Sequence, residues 1–259
     1  MAQPTPIRLN GQPIGTGAFP SIITPLVGRT PADLMGELEA ILPKKPDLLE
    51  WRIDFFEGIA DTDSVIETAR RMKRSAGAVP ILLTRRSTTE GGQPIPMQEP
   101  AVVAMYCRAC EARCIDLIDY ELSNAKDHLS QLRTVSAANG VALIMSYHNF
   151  ELTPDIDSLL GRFVEAERLG ADIAKVAVMP RNPQDVLTLL AATYRASQAT
   201  RIPLISMSMG GIGSVSRIMG WLYGSAATFA VGKSSSAPGQ IAIDDLRAML
   251  ATVSRAVVG

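Results

Sequence analysis

Several patterns that mark common protein classes are scarce in this sequence. It contains 3 cysteines and 2 histidines among 259 residues, and none of its apolar runs approaches the ~20 residues of a membrane-spanning helix. Its net charge is -1 with both signs interspersed, unlike the clustered positive charge of a nucleic-acid-binding surface. Residues 1–20 lack a basic start followed by an apolar core, so we expect no signal peptide. The sequence therefore predicts neither a membrane nor a nucleic acid as partner.

The cysteines are Cys107, Cys110 and Cys114, at positions i, i+3 and i+7 of an apolar helical pattern. This spacing places them on one helix face, with no histidine or fourth thiol nearby in the sequence. The pattern favours buried free thiols over a zinc site, and no metal is predicted. Few cysteines without obvious pairing are typical of a reducing compartment, which predicts a cytoplasmic protein.

Strand and helix patterns alternate along almost the whole chain. Eight strands are predicted, over residues 21–27, 47–53, 79–84, 115–119, 141–147, 172–178, 202–207 and 225–230. Each precedes a predicted helix, over residues 31–42, 63–75, 98–113, 123–139, 154–169, 183–197, 214–222 and 243–257. Thr30, Thr153 and Asn182 each precede a proline and are predicted to cap the helices that follow.

Eight such units are close to the ~250 residues of a (β/α)8 barrel, so we expect an α/β fold of this architecture. An open, doubly wound parallel sheet is the alternative. No linker rich in proline or glycine divides the chain, so residues 1–259 are predicted to form one barrel domain. Residues 1–20 would be an N-terminal extension, in which Asn10-Gly11 predicts the turn of a β-hairpin over residues 7–18.

The predicted sixth strand is apolar from Ile173 to Met179 except at Lys175. Lysine is rarely buried unless it is paired or put to use. Apolar surroundings disfavour an ammonium group, so a lysine there is available as a neutral amine nucleophile. The alternative is a lysine at a strand end whose ammonium group reaches water.

Chemistry in such barrels takes place at the carboxyl ends of the strands. Glu50, Arg52 and Asp54 alternate with apolar residues at the end of the second strand, so the three charges are predicted to point into the barrel mouth. His148 ends the fifth strand, one unit before Lys175, which predicts that these side chains are close neighbours.

Other loops carry further candidates. Arg86 and Glu90 follow the third strand directly, ahead of Gly91-Gly92. After the seventh strand, the glycine-rich run 210–213 precedes Arg217, a combination that predicts an anion site at the start of a helix. The second histidine, His128, lies in a helical pattern and is predicted to be exposed.

Two motifs for nucleotides are incomplete. The run 211–216 lacks the third glycine of the dinucleotide fingerprint, and no acidic residue is placed to hold a ribose. Gly232-Lys233-Ser234 resembles the end of a P-loop, but Ala227 stands where its first glycine belongs. Neither NAD nor a nucleotide is therefore predicted.

Six short motifs follow one another in a characteristic order, each at the end of a predicted strand. They are Glu50-Trp51-Arg52-Ile53-Asp54, Arg86 with Glu90-Gly91-Gly92, Ser146-Tyr147-His148-Asn149-Phe150, Ala171-Asp172-Ile173-Ala174-Lys175, Ser206-Met207-Ser208-Met209-Gly210 with Ser216-Arg217, and Ser236-Ala237-Pro238-Gly239-Gln240. Together they resemble type I 3-dehydroquinate dehydratase of the shikimate pathway. The resemblance extends from about Ser21 to the C-terminal helix.

The resemblance implies a Schiff-base lysine at Lys175 and an acid/base histidine at His148, supported by Glu90. It implies substrate contacts from six further residues, namely Glu50, Arg52, Arg86, Arg217, Ser236 and Gln240. Family members can carry a serine contact where this chain has Thr24-Pro25-Leu26, so no contact is assigned to the first strand. The resemblance also implies a homodimer that acts on 3-dehydroquinate without a metal or other cofactor.

The implied lyase chemistry suits these residue types. Dehydrating a β-hydroxy ketone removes a proton next to the carbonyl, and an amine converts that ketone into an iminium that acidifies the C–H. An imidazole can take the proton and pass it to the departing hydroxyl. Arg217 is predicted to bind the substrate carboxylate through paired hydrogen bonds. The loop 232–240 leaves the last strand at the barrel mouth and is predicted to close over the reacting centre.

Two other functions fit part of the pattern. A class I aldolase-type barrel also uses a lysine on its sixth strand, but His148 and Pro238-Gly239-Gln240 favour the dehydratase. A non-catalytic barrel that binds a small acid would use the same arginines, yet it has no need of Lys175 beside a histidine.

Overall fold

The structure, a computed structural model, describes residues 5–14, 19–234 and 236–258. It begins with a hairpin of strands β1 (Ile7–Leu9) and β2 (Gln12–Ile14), which pair antiparallel. Asn10 and Gly11 between them have φ of 48° and 81°, the positive values that a two-residue turn of this kind requires. The predicted hairpin is confirmed as far as Ile14, and positions 15–18 of that prediction lie outside the described residues.

Strands and α-helices then alternate along the described chain. The strands are β3 (Ser21–Leu26), β4 (Leu48–Arg52), β5 (Ile81–Thr84), β6 (Leu117–Glu121), β7 (Ala142–Asn149), β8 (Ile173–Val178), β9 (Leu204–Ser208) and β10 (Ala227–Val231). The helices are α1 (Pro31–Ile41), α2 (Thr62–Ala76), α3 (Glu99–Glu111), α4 (Lys126–Asn139), α5 (Ile156–Arg168), α6 (Pro183–Ala199), α7 (Gly210–Met219) and α8 (Ile243–Val258). A two-residue strand, β11 (Ile241–Ala242), pairs with β10 just before α8.

The parallel sheet curls into a barrel. Strands β3 to β9 pair in chain order, and β10 pairs with β3 at the other edge. The ring is completed by a parallel bridge between Leu204 of β9 and Ser225, two residues before β10. The predicted (β/α)8 barrel is therefore confirmed, and the open sheet is excluded.

Two of the three predicted helix caps are confirmed. The side chains of Thr30 and Asn182 accept backbone N–H groups in the first turns of α1 and α6. The prediction for Thr153 is wrong, because its hydroxyl donates to the carbonyl of Met179 at 3.1 Å. Asp155 caps α5 instead.

The helix residues singled out in the sequence are mostly buried. Cys107, Cys110 and Cys114 are buried free thiols, as predicted, although Cys114 lies beyond the end of α3. Burial raises the pKa of the Cys110 thiol to about 12. His128 is half-buried, with its Nδ1 3.4 Å from the hydroxyl of Tyr120, so the prediction that it is exposed is wrong. No helix in the described residues is long and apolar enough to cross a membrane.

The barrel interior has an apolar lower layer and a polar upper layer. The lower layer is formed by inward residues near the strand starts, namely Leu48, Leu82, Leu117, Ile144 and Ile173. Leu9 and Ile14 of the hairpin belong to the same cluster and cover this end of the barrel. Two residues further along the same strands, the inward positions are Glu50, Thr84, Asp119, Ser146 and Lys175. On these strands the inward polar side chains therefore lie towards the carboxyl ends.

Candidate active site

A cavity opens at the carboxyl ends of the strands. Eight of the nine predicted site residues line it, namely Glu50, Arg52, Arg86, Glu90, His148, Lys175, Ser236 and Gln240. Apolar walls are contributed by Phe150, Ala177, Met207, Met209 and Phe229. The ninth predicted residue, Arg217, is not part of this lining.

Lys175 points into the cavity from the middle of β8. Its side chain is only 4% exposed, so the alternative of an ammonium group that reaches water is wrong. Its surroundings are not simply apolar either. Nζ lies 2.8 Å from Oδ2 of Asp119 and 3.6 Å from Oε1 of Glu50, and 4.8 Å from the ring centroid of Phe229. The lysine is therefore held at a fixed place by an ion pair on one side and an aromatic face on the other.

Asp119 is a fully buried carboxylate on β6. Besides Lys175, it contacts Arg86, whose Nη2 is 2.9 Å away, and Ser146, whose hydroxyl donates at 2.5 Å. Burial alone would raise the pKa of Asp119, but Arg86 and Lys175 outweigh it and hold the pKa well below its usual range. Asp119 is therefore ionised whenever the protein is folded near neutral pH.

Arg86 connects the lysine side of the cavity to the histidine side. Its guanidinium lies 2.9 Å from both Asp119 and Glu121 and 3.7 Å from Glu90. Burial would lower the pKa of Arg86, but the carboxylates of Asp119 and Glu121 outweigh it and raise that pKa. Arg86 is therefore surrounded by protein carboxylates, and its Nη1 donates a hydrogen bond to Glu121 at 2.9 Å.

The turn after β5 brings Arg86 and Glu90 to the same cavity. Gly92 passes so close to Arg86 that a Cβ on it would lie 1.9 Å from the Arg86 carbonyl oxygen. Any other residue at that position would push the turn outwards. The glycine therefore allows the chain to fold back and to place Glu90 beside His148.

His148 and Glu90 form a hydrogen-bonded pair. Nδ1 of His148 lies 2.9 Å from Oε2 of Glu90, and the backbone N–H of His148 donates to the same oxygen at 3.0 Å. The hydroxyl of Ser123 donates to the other oxygen at 2.9 Å. Burial, together with the charge of Glu121, raises the pKa of Glu90 to about 7. An ionised Glu90 would accept all three hydrogen bonds, which keeps a proton on Nδ1 and leaves Nε2 of the ring for a ligand.

The surroundings of His148 favour its neutral form. Burial and the positive charges of Arg86 and Lys175 hold the pKa of His148 well below its ordinary value. In the strand register His148 pairs with Ala177, two residues beyond Lys175 on β8. A neutral imidazole is thus available as a base near the amine.

The described part of the loop 232–240 packs over the cavity. Arg52 makes two 2.8 Å hydrogen bonds to the carboxylate of Asp54, and its Nη1 donates to the Ser236 carbonyl at 3.3 Å. The backbone N–H of Ser236 donates to Oε1 of Gln240 at 3.1 Å. Ser236 and Gln240 are therefore positioned as cavity walls by Arg52 and by each other.

Arg217 lies beneath this loop on α7, which begins at Gly210 rather than at 214 as predicted. Its side chain is buried, and Nη2 donates to the Pro238 carbonyl at 3.0 Å. Burial lowers the pKa of Arg217 to about 10, and in the described part of the chain no carboxylate lies within ion-pair distance of it. Arg217 is a buried cation without an anionic partner among those residues.

Four polar residues of the site were not identified from the sequence, namely Thr84, Asp119, Glu121 and Ser146. The predicted fourth strand ended at 119, whereas β6 continues to Glu121. The alternation of side chains along a strand could have identified Asp119 and Glu121. Both share the inward face of β6 with Leu117.

Comparison with known proteins adds to this geometry. The family model for type I 3-dehydroquinase matches residues 22–256. A 3-dehydroquinate dehydratase from Albidiferax ferrireducens is 53% identical over 257 residues, which cover 99% of this chain and 97% of the relative. One from Aromatoleum aromaticum is 46% identical and covers 100% of both chains.

Solved structures agree with these relatives. The crystal structure of 3-dehydroquinate dehydratase from Geobacillus kaustophilus superposes with a TM-score of 0.95 and 47% identity over 98% of each chain. The type I enzyme from Clostridium difficile, solved with covalently modified comenic acid, gives a TM-score of 0.94 and 33% identity over 98% of this chain and 99% of the other. By sequence over nearly its whole length, and by fold, this chain belongs to the type I 3-dehydroquinase family.

Proposed function

We propose that this chain is a lyase that dehydrates 3-dehydroquinate to 3-dehydroshikimate through a Schiff base at Lys175, with His148 as general acid and base. The observation that carries the proposal is the burial of Lys175 in a polar cavity beside His148. His148 lies on the neighbouring strand β7, where it pairs with Ala177, two residues beyond Lys175 on β8. A barrel that only binds small acids has no use for that combination. The family membership supports the same reaction.

The proposed reaction begins at the ketone of the substrate. The Lys175 ammonium gives up a proton so that the amine can attack the ketone carbon, and the carbonyl oxygen then leaves as water with two of the nitrogen protons, which leaves an iminium. Nε2 of His148 removes a proton from the adjacent carbon, and the electron pair moves to the iminium nitrogen to give an enamine. The enamine expels the hydroxyl, which takes the proton from His148 and leaves as water. Water then hydrolyses the conjugated iminium and restores the lysine.

Substrate binding is inferred from the charges in the cavity lining and from Arg217, which lies beneath the loop next to it. Arg52 and Arg86 already contact protein carboxylates, whereas Arg217 has no such partner in the described residues. Arg217 is therefore the arginine that we expect to form an ion pair with the substrate carboxylate. Glu50, Ser236 and Gln240 line the remaining walls and would bind hydroxyl groups. The homodimer and the cytoplasmic location that the sequence suggested stay predictions.

Chemical trapping tests the proposal. Borohydride added together with 3-dehydroquinate should reduce the iminium and fix substrate mass on the peptide that contains Lys175. Lys175→Met is the matched control, since it keeps the length and apolar stem of the side chain without the amine. Mass on another lysine, or none in the unaltered protein, would rule out the assignment. Appearance of the conjugated enone absorbance separates dehydration from C–C bond cleavage.

A further inference from the structure

The two oxygens of Asp119 have different partners. Oδ1 accepts the Ser146 hydroxyl at 2.5 Å and lies 2.9 Å from Nη2 of Arg86. Oδ2 contacts Nζ of Lys175 at 2.8 Å. Ser146 and Arg86 thus fix the orientation of the carboxylate so that its second oxygen faces the amine. This arrangement suits a permanent partner of the lysine nitrogen.

We propose that Asp119 is the counter-ion of the covalent intermediate, and that it holds the Lys175 nitrogen first as an ammonium and then as an iminium. This inference rests on the proposed Schiff base. When an ammonium and a ketone give an iminium, the C–N bond forms and the carbonyl oxygen leaves as water with two of the three ammonium protons. The third proton and the positive charge stay on the nitrogen, which keeps a donor for Oδ2.

Other groups around the nitrogen are less suited to this role. Glu50 is 3.6 Å from Nζ, and its Oε1 accepts the hydroxyl of Thr84 at 3.0 Å. The Oε1 of Glu121 accepts from Arg86 and from the backbone N–H of Ser87, at 2.9 and 2.8 Å.

The remaining charged or titratable groups of the cavity lining are Arg52, Arg86, His148 and Glu90, and the Glu90 carboxylate is hydrogen-bonded to His148. Arg86 faces the site from the loop after β5, His148 from β7, and the Phe229 ring from β10. Within the described chain, Asp119 is the carboxylate at hydrogen-bond distance from the reacting nitrogen.

The test compares Asp119→Asn with Glu121→Gln. Both residues lie on β6, both are buried and both contact Arg86, but only Asp119 contacts Nζ of Lys175. In Asp119→Asn the concentration of 3-dehydroquinate that gives half-maximal borohydride trapping should rise by up to about 10- to 1000-fold at alkaline pH, where the nitrogen carries a charge in the adduct but no longer in the free variant. Glu121→Gln should raise it much less. Equal values in the two variants, or no change in Asp119→Asn, would overturn the inference.

The pH dependence of trapping gives a second readout that a structural role would not move. Asp119→Asn removes the negative charge that favours a charged nitrogen, so the pH profile of adduct formation should shift to lower pH relative to Glu121→Gln. Identical pH profiles contradict the proposal. Absence of an adduct in the unaltered protein would instead refute the Schiff base itself.

A spectroscopic measurement on the unaltered protein does not depend on how the variants fold. The C=N stretch of the adduct, observed by Raman difference spectroscopy, should shift to lower frequency in D2O because a protonated iminium exchanges its N–H. A band at the same frequency in H2O and D2O means a neutral imine nitrogen. Asp119 would then have no cation to pair with, and the inference would fail.

Discussion

Gly239 lies directly against Gly210, so that a Cβ on Gly239 would be 2.2 Å from the Gly210 carbonyl oxygen. Gly239 also has a φ of +72°, which residues with a Cβ rarely adopt. The N–H of Gly210 donates to the neighbouring Pro238 carbonyl at 3.2 Å. The described part of the loop 232–240 therefore packs on the start of α7 through backbone contacts of Pro238 and Gly239.

The loop 232–240 is predicted to act as a lid whose closed position is favoured by ligand. Ser236 and Gln240 line the cavity, so a bound substrate adds contacts that exist only when the loop is closed. Amide hydrogen exchange across 232–240 should slow when substrate or product is added. Exchange across the hairpin 7–14, on the far side of the barrel, should stay unchanged as the control. Identical exchange across the loop with and without saturating ligand would refute the lid.

Replacing His148 by alanine should remove most of the turnover and leave adduct formation at Lys175 intact. The imidazole is the proposed proton carrier, and such groups contribute about 100- to 10,000-fold to rate. Single-turnover trapping and the enone assay measure the two steps separately. Near-normal turnover in His148→Ala would show that another group moves the proton.

Replacing Glu90 by glutamine should cost less activity than losing His148, because glutamine still offers an oxygen to the N–H groups of His148. Its effect on stability has a definite sign. The pKa of Glu90 rises from 4.5 to about 7 on folding, so between these pH values the folded state binds more protons than the unfolded state. The contribution of Glu90 to the free energy of unfolding therefore falls as the pH rises from 4.5 to about 7.

The difference between 4.5 and about 7 corresponds to roughly 3–4 kcal/mol at most. Thermal unfolding of both proteins at pH 5 and pH 8 checks this expectation. The stability of Glu90→Gln relative to the unaltered protein should improve on going from pH 5 to pH 8. A relative stability that worsens over this interval would mean that Glu90 is not held in a raised-pKa state.

Replacing Arg217 by lysine should raise the Michaelis constant markedly. A lysine cannot reproduce the planar fork that binds a carboxylate and the Pro238 carbonyl together. Losing one partner of a buried charged hydrogen bond costs about 2–5 kcal/mol. Steady-state kinetics with Arg29→Lys, at an exposed arginine, serves as control. An unchanged Michaelis constant in Arg217→Lys would move the carboxylate site to Arg52 or Arg86.

The barrel and most of the cavity residues could be predicted from the sequence. The contact between Lys175 and Asp119 could not. Period-two alternation placed Glu50 and Arg52 correctly because strand faces are a local property. In the backbone register Lys175 pairs with Ser146, and Ser146 pairs with Glu121. The Nζ of Lys175 nevertheless contacts Asp119, two residues before Glu121. Strands in a barrel tilt by about 36°, so register partners are not level around the mouth. That stagger is a property of the closed sheet and is not visible in any one strand.

The hairpin at the lower end of the barrel has a consequence for water. Leu9 and Ile14 belong to the apolar layer at this end of the barrel, so we expect the cavity to exchange water with bulk solvent through its mouth. In the proposed cycle, forming the iminium and eliminating the hydroxyl each release one water, and the final hydrolysis consumes one. A molecule released early and retained under the loop can therefore serve as the last reactant, and one catalytic cycle can be completed without admitting solvent.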